Sequence, residues 1–264
     1  MIKSMYSSIA GMKNFQQKLD VTSNNIANVN TFGFKKGRAT FQDMISQQMG
    51  GGAQAAAGGQ GGINGKQVGM GSKMGSIDTV HTQGSLQNTG RQLDLGITGE
   101  GFFQVNNGEE DLYTRSGNFY LDEAGTVVNA EGMILQGADG GPINIPADAQ
   151  SFSINTDGAV NITNAAGDNE NVGQIALTTF NNPEGLAKAG GSTYRITDNS
   201  GAGVQDIPGV DGRGDLISGT LEMSNVDLAD EFTEMIVAQR GFQANTRGIT
   251  TADEILQELM SLKR

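Results

Sequence analysis

The sequence predicts an α+β protein, with a mostly β body in the middle of the chain and one α-helix at each end. Three observations carry this prediction. Apolar residues recur at helical spacing in both terminal stretches, short runs rich in β-forming residues fill the middle, and a Gly-rich stretch follows the first helix. With 264 residues, the chain is long enough to bury a substantial core.

The first helix is predicted from an apolar stripe that alternates by three and four residues and then continues at sevens. This spacing is typical of a helical seam. Polar Gln16 and Ser23 take two of the later seam positions, so the stripe is weak as a self-sufficient zipper and needs a partner. The seam residues are Ile2, Met5, Ile9, Met12, Leu19 and Ile26.

The second helix is predicted from a C-terminal stripe of five apolar residues at an unbroken spacing of seven. Ala238, Ala252 and Leu259 widen the stripe. Gly241 and Gly248 lie inside the helix and each costs roughly 1 kcal/mol relative to Ala, so we expect the helix to depend on packing. The stripe consists of Leu228, Met235, Phe242, Ile249 and Leu256.

The ends of the second helix also carry start and stop signals. Asp227 is a good N-cap candidate, and Asp230 and Glu231 place negative charge in the first turn. Lys263 and Arg264 place positive charge after the last apolar residue, where it favours the helix dipole.

The partner of the terminal helices is left open by their periodicity. They could lie on the β body of their own chain, pack with each other, or pack with another copy. Residues 50–75 contain eleven Gly, which is typical of a flexible linker, and a helix on such a tether is poorly held to the body. This linker and the coiled-coil spacing favour packing between the helices.

The middle of the chain, residues 76–223, predicts an antiparallel β body without fixing its strand order. Short runs rich in Val, Ile, Thr, Phe and Tyr are separated by pairs that favour tight turns. The strongest hairpin signals lie at Asp157-Gly158, Ala124-Gly125 and Asp139-Gly140.

Composition excludes several classes of function. A formal net charge of −12 disfavours nucleic acid and anionic lipid surfaces as partners. The chain has no Cys and one histidine, His81, so it lacks the residues for a thiolate or multi-histidine metal site or for a convincing catalytic triad. We expect no catalytic residues, no metal and no cofactor. The first residues contain no continuous apolar run, so we expect neither a cleaved signal peptide nor membrane insertion.

Four blocks of the sequence resemble one family. They are "LDVTSNNIANVNTFGFKKGRATFQDM" at 19–44, "LDLGITGEGFFQV" at 93–105, "YTRSGNFYLDEAGTVV" at 113–128 and the whole stretch 224–264. Together and in this order they are similar to the axial proteins of the bacterial flagellum, the rod and hook family. The resemblance implies a subunit that polymerises into a hollow helical tube after export, unfolded, through the flagellar type III apparatus.

The resemblance also implies a domain organisation. Residues 1–30 and 225–264 would form a coiled-coil terminal helical domain for assembly, residues 31–76 a Gly-rich linker and residues 77–224 the β-rich body. The implied partners are further copies of the chain, the export apparatus and other axial proteins, namely the rod, the hook cap and the hook-filament junction.

The turn after the first helix is predicted to be a specific helix stop. Asn and Gly accept left-handed backbone conformations and cap exposed carbonyls. A simple polar stop would explain the Asn residues but not the flanking Phe residues, which we expect to anchor the outgoing segment. The helix-stop residues are Asn24, Asn25, Asn28, Asn30, Gly33 and Phe34.

Two members of the family compete. A hook subunit builds a short curved tube that transmits torque from the rod to the filament, and a distal-rod subunit builds a straight driveshaft in the basal body. The block "NTFGFKKGRATFQDM" and the ending "SLKR" favour the hook. Outside the family, the alternatives are an extracellular β-rich adhesin and, more remotely, a hydrolase on a β scaffold.

Overall fold

A computed structural model describes residues 2–52, 62, 64–146, 149–164, 168–210 and 212–262. The chain divides into two compact units. The first, the helical unit, comprises the described parts of 1–26, 37–78 and 227–264. The second, the body unit, comprises the described parts of 27–36 and 79–226.

The helical unit contains both long helices and four strands. Both helices were predicted from the spacing of their apolar residues, and the pairing of the two helices with each other confirms the α+β fold class. Their bounds are α1 (Ile2–Ala27), β1 (Gly37–Asp43), β2 (Ser46–Gly50), β3 (Lys66–Gly69), β4 (Ser72–Thr79) and α2 (Leu228–Ser261).

Helix α2 begins where its capping residue predicts. The Asp227 carboxylate accepts hydrogen bonds from the backbone N–H groups of Ala229 at 2.8 Å and Asp230 at 3.5 Å, which satisfies two donors of the first turn. Lys263 and Arg264, expected to follow the last turn, lie outside the described residues.

Strands β1, β2 and β3 lie within the segment 31–76 for which we predicted a linker, and β4 begins in it and extends to Thr79. β1 pairs with β4, and β2 pairs with β3 in an antiparallel hairpin with Gln47 opposite Val68. Residues 53–61 and 63, in the Gly-rich part of that segment, lie outside the described residues. The domain limits given by the sequence therefore stay a prediction.

The body unit is built from sixteen described strands and one short 3-10 helix at Pro183–Gly185. In chain order the strands are β5 (Leu86–Asn88), β6 (Leu95–Thr98), β7 (Phe102–Asn106), β8 (Asp111–Thr114), β9 (Tyr120–Leu121), β10 (Val127–Val128), β11 (Ile134–Leu135), β12 (Ser151–Ile154), β13 (Ala159–Thr163), β14 (Asn169–Gln174), β15 (Leu177–Thr179), β16 (Ala187–Gly190), β17 (Thr193–Arg195), β18 (Val204–Asp206), β19 (Asp215–Ser218) and β20 (Thr220–Glu222).

These strands form one large sheet and several small ones. The large sheet has the order β16-β17-β8-β7-β11-β10-β9, with β15 added between β7 and β18. β12, β13 and β14 form a three-stranded sheet, and the pairs β19-β6 and β20-β5 bring late strands beside early ones. The described strands of the body pair antiparallel, as the hairpin signals indicated.

The predicted turn pairs lie at real turns. Asp157-Gly158 joins β12 to β13, and Gly158 has φ +81°. Gly125 has φ +82° between β9 and β10. These left-handed conformations are the reason for glycine at both positions. The body core beneath the sheets is apolar, and Phe103 and Phe119 are fully buried in it with their rings 5.3 Å apart.

Candidate assembly interface

The two long helices of the helical unit pack against each other in antiparallel order. Along α1, Ser8 lies against Gly248, Gly11 against Asn245 and Phe15 against Gly241, so the chain numbers rise on one helix as they fall on the other. A Cβ atom on Gly241 would lie 2.5 Å from the ring of Phe15. Gly241 is therefore required by close helix packing, which offsets its low helix propensity.

Polar contacts join the two helices near the end of α1 and the start of α2. Asn25 is 2% exposed, and its Nδ2 donates to Glu231 Oε2 at 3.1 Å and to the Gly37 carbonyl at 2.9 Å. The backbone N–H of Gly37 donates to Asn25 Oδ1 at 2.9 Å. Lys18 also forms a salt bridge with Glu234. Asn25 thus joins both helices to the start of β1.

The residues that contact each other across the helix pair, here called the inner contact line, lie beside the predicted apolar seam on each helix. On α1 the contacts run through Ser8, Gly11 and Phe15, and on α2 through Gly241 and Gly248. The apolar seam falls one residue later on each helix, which rotates it by about 100° from the contact line. These contacts within one chain combine small residues, Ser8, Gly11, Gly241 and Gly248, with the ring of Phe15.

The predicted seam is only partly covered within the chain. Ile9 and Leu228 are 43% and 40% exposed. The side chain of Ile2 lies outside the described part of the structure. The half-buried members are Met5, Met12, Leu19, Ile26, Met235, Phe242, Ile249 and Leu256.

Large apolar side chains beyond the seam are more exposed still. On α2, Ile236 is 58% exposed and Met260 is 74% exposed. On the strands of the same unit, Ile45 is 82% exposed and Met49 is 73% exposed. Exposed apolar side chains of this size are typical of surfaces that contact other proteins. Phe232 and Ile236 follow the seam residue Leu228 at steps of four along one side of α2, and these three residues form the exposed apolar face of α2. The remaining exposed large apolar side chains of α2 are Val237, Ile255, Leu259 and Leu262.

The residues of the predicted helix-stop turn make different contacts. The Asn28 carbonyl and side chain accept hydrogen bonds from the N–H and hydroxyl of Thr31. Gly33 has φ +66°, and its N–H donates to the Glu222 carbonyl at 2.8 Å. A Cβ atom there would lie 2.5 Å from the backbone nitrogen of Ser116.

The other residues of the predicted turn differ in their surroundings. The Lys188 ammonium lies 5.1 Å from the centre of the Phe34 ring. Asn24 and Asn30 are exposed.

A buried ion cluster follows the turn, and no pattern in the sequence indicated it. The Lys35 side chain is fully buried, and its Nζ donates to Glu222 Oε1 at 2.5 Å and to the Thr82 carbonyl at 2.8 Å. Arg115, 3% exposed, reaches the other Glu222 oxygen at 3.4 Å. Burial lowers the pKa of Lys35, and the Glu222 carboxylate opposes that shift. Two cations share one buried carboxylate.

His81 lies beside this cluster, with its ring among aromatic side chains. Its ring packs against Phe102 and Tyr194 at 5.5 and 5.3 Å between centroids. Burial, together with the positive charges of Lys35 and Arg115, lowers its pKa to about 4. Among the described residues, no cluster of His, Cys, Asp and Glu could hold a metal ion. No helix in the described ranges is long and apolar enough to cross a membrane.

A paired-helix unit with an exposed apolar face, in one chain with an acidic β body, is typical of a subunit that assembles with other proteins. Three family models match the chain. They are the flagellar hook protein FlgE/F/G D1 domain at 96–162, the flagellar basal body rod FlgEFG protein C-terminal at 217–262 and the flagella basal body rod protein at 5–35.

Full-length relatives agree with these models. The chain is 58% identical to the flagellar basal-body rod protein FlgG of Bacillus subtilis (strain 168), with both chains covered completely. It is 37% identical to FlgG of Caulobacter vibrioides, over 99% of this chain and 100% of the relative. It is 30% identical to the flagellar hook protein FlgE of Borreliella burgdorferi, again with full coverage of both. The chain belongs to the flagellar rod and hook axial protein family and is a structural protein of the flagellum.

Proposed function

We propose that the chain is the distal-rod subunit of the basal body and polymerises into a straight hollow driveshaft. The observation that carries this proposal is the 58% identity to a rod protein over the full length of both chains, against 30% for the hook proteins. The alignments with the two hook proteins also extend over 442 and 464 positions, far more than the 264 residues of this chain.

The sequence features that favoured the hook have a structural role that both members can share. In "NTFGFKK", Gly33 supplies a left-handed turn and Lys35 fills a buried ion pair. These requirements concern how the body closes on the turn, not whether the tube is curved. The hook assignment made from the sequence is therefore replaced by its rod alternative.

The exposed apolar face of α2 is the surface that would join subunits. Packing with α1 uses Gly241 and Gly248 and leaves Phe232 and Ile236 exposed. Burying one large apolar side chain stabilises a contact by roughly 1.5–3 kcal/mol, so several such residues per subunit would drive polymerisation. Other copies, neighbouring axial proteins and the type III export apparatus are the partners this function requires.

Ile236→Glu tests the assembly face, with Gln239→Glu as a matched control. Both positions are exposed on α2, and only the first removes an apolar side chain. We expect I236E to remain folded and to lose polymerisation, because a charge on the face would have to be desolvated. Gln239→Glu should assemble like the wild type. Normal polymer from I236E would argue against this face.

The location of the chain in the flagellum tests whether it is a rod or a hook subunit. An epitope inserted after Gly140, an exposed turn residue with no atom within 4 Å of its would-be Cβ, leaves the helices untouched. The labelled chain is expressed in a flagellated host without its own copy and imaged with gold by electron microscopy. We expect label on a straight segment within the envelope. Label on the curved extracellular segment would make it a hook subunit, and label off the flagellum would overturn the family role.

The helix-stop turn is proposed to direct the chain from α1 into the body. Gly33→Ala introduces both a strained φ and a clash with Ser116, whereas Gly132→Ala has φ +82° and open space around it. We expect G132A to cost about 1 kcal/mol and G33A clearly more, measured by urea unfolding. Equal losses of stability in G33A and G132A would show that the close approach of Ser116 to Gly33 does not affect the free energy of unfolding.

A further inference from the structure

The chain passes between the two compact units at four points, after residues 26, 36, 78 and 226. Three of these crossings have their body-side residues close together. They are Lys36, Val80 and Asn225, which are far apart in sequence. Any force carried along the covalent chain between the units runs through such crossings.

One side chain holds the three crossing segments together on the body side. The backbone N–H of Lys36 donates to Asn225 Oδ1 at 2.8 Å. Asn225 Nδ2 donates to the Val80 carbonyl at 2.8 Å and to the Thr82 hydroxyl at 2.9 Å. The backbone N–H of Val80 donates to the Lys36 carbonyl at 2.9 Å. These bonds form a closed ring among the three segments.

The ring is anchored in the rigid part of the body. Lys35, next to Lys36, is fully buried on Glu222, and Glu222 ends the strand that leads to Asn225. The Thr82 carbonyl accepts from both Lys35 Nζ and Asn225 Nδ2. Each crossing segment is therefore fixed within a few residues of its bond to Asn225.

We propose that Asn225 is a tie that makes the three crossing segments carry load together. This inference rests on the proposed function, since a rod subunit transmits torque. Asn suits the role because its side chain offers an acceptor and two donors at once, which Asp, Ser and Ala do not. Without the tie, each segment would take load separately, and its hydrogen bonds would open one after another.

Amide hydrogen exchange on the full-length monomer tests the tie itself. In Asn225→Ala we expect the Lys36 and Val80 amides to exchange at least tenfold faster, while core amides such as Phe103 stay protected. Asn182→Ala is the matched control, because it removes an amide that donates to the Asn199 carbonyl within the body, outside the three crossing segments. Unchanged exchange at Lys36 and Val80 would overturn the proposal. This readout does not depend on the flagellar role.

Swimming under load tests the mechanical role, with each variant as the sole copy in a flagellated host. Asn225→Ala should swim like the control in dilute medium and at least twofold slower in viscous medium. If N225A builds no tube, Asn225→Asp replaces it, since Asp keeps the acceptor for Lys36 and loses both donors. Equal speeds in viscous medium would overturn the mechanical role. A chain absent from the flagellum would instead contradict the proposed function, leaving the exchange result valid.

Discussion

Lys35 and Glu222 lie 187 residues apart in sequence and form a fully buried ion pair that closes the body on the turn after α1. Glu222 also accepts from the Gly84 N–H and from Arg115. Because the Glu222 carboxylate neutralises two buried cations, replacing Glu222 and replacing one of the cations should change the stability by different amounts.

We predict that Glu222→Gln destabilises the protein by about 3–5 kcal/mol, because it leaves two buried cations without an anion. Lys35→Met should cost less, since Arg115 and Glu222 still neutralise each other. Urea unfolding of both variants measures the difference. An equal or larger loss in K35M would show that Arg115 does not share the carboxylate.

His81 should make the body sensitive to acid. Burial, with the positive charges of Lys35, Arg115 and Lys188, holds the pKa of His81 at about 4, whereas in the unfolded chain this pKa is near 6.5. The unfolded state therefore binds the proton first as the pH falls. Stability contributed by neutral His81 is complete above pH 6.5 and is lost as the pH falls towards 4.

Between pH 7 and pH 5 this loss should be about 2 kcal/mol. His81→Asn, which does not titrate, should flatten that part of the profile in urea unfolding. The carboxylates are common to both proteins, so only the difference between the two profiles reports on His81. Parallel profiles would mean that the ring is not held neutral.

At the scale of elements, α1 and α2 approach closely where glycines face the other helix, at Gly11, Gly241 and Gly248. In an isolated helix, Gly241→Ala would be stabilising by roughly 1 kcal/mol. Here the added methyl group meets the Phe15 ring at 2.5 Å. We predict that G241A lowers the melting temperature of the helical signal in circular dichroism.

The double variant Phe15→Leu/Gly241→Ala serves as the control for this contact. A smaller side chain on α1 makes room for the methyl group, so part of the lost stability should return. If G241A alone is neutral or stabilising, the two helices do not approach as closely in solution.

At the scale of the whole molecule, the formal net charge of −12 should oppose the approach of subunits. The Debye length falls from about 30 Å at 0.01 M salt to about 3 Å at 1 M. We predict that polymer yield, measured by sedimentation, rises with salt over this range.

A charge variant separates this repulsion from other effects of salt. Glu109→Gln/Glu123→Gln removes two exposed negative charges from the body. This variant should polymerise at lower salt than the wild type. A yield that fell or stayed level as salt rose would argue against charge repulsion as a brake on assembly.

The sequence by itself determined the features whose cause is local. The spacing of Met235, Phe242 and Ile249 predicts α2, Asp227 predicts where it begins, and Asp157-Gly158 predicts a hairpin turn. Periodicity, capping and turn conformation depend on residues a few positions apart, so they can be read from the chain.

Only the tertiary structure decided which residues meet across long separations. It placed small residues between the helices, turned the apolar seam to a neighbouring face, and brought Lys35, Arg115 and Glu222 into one buried cluster. It also joined Lys36, Val80 and Asn225. Partners in these contacts are as much as 240 residues apart (Ser8 and Gly248, 248 − 8), and buried charge is stable only where folding supplies the opposite charge.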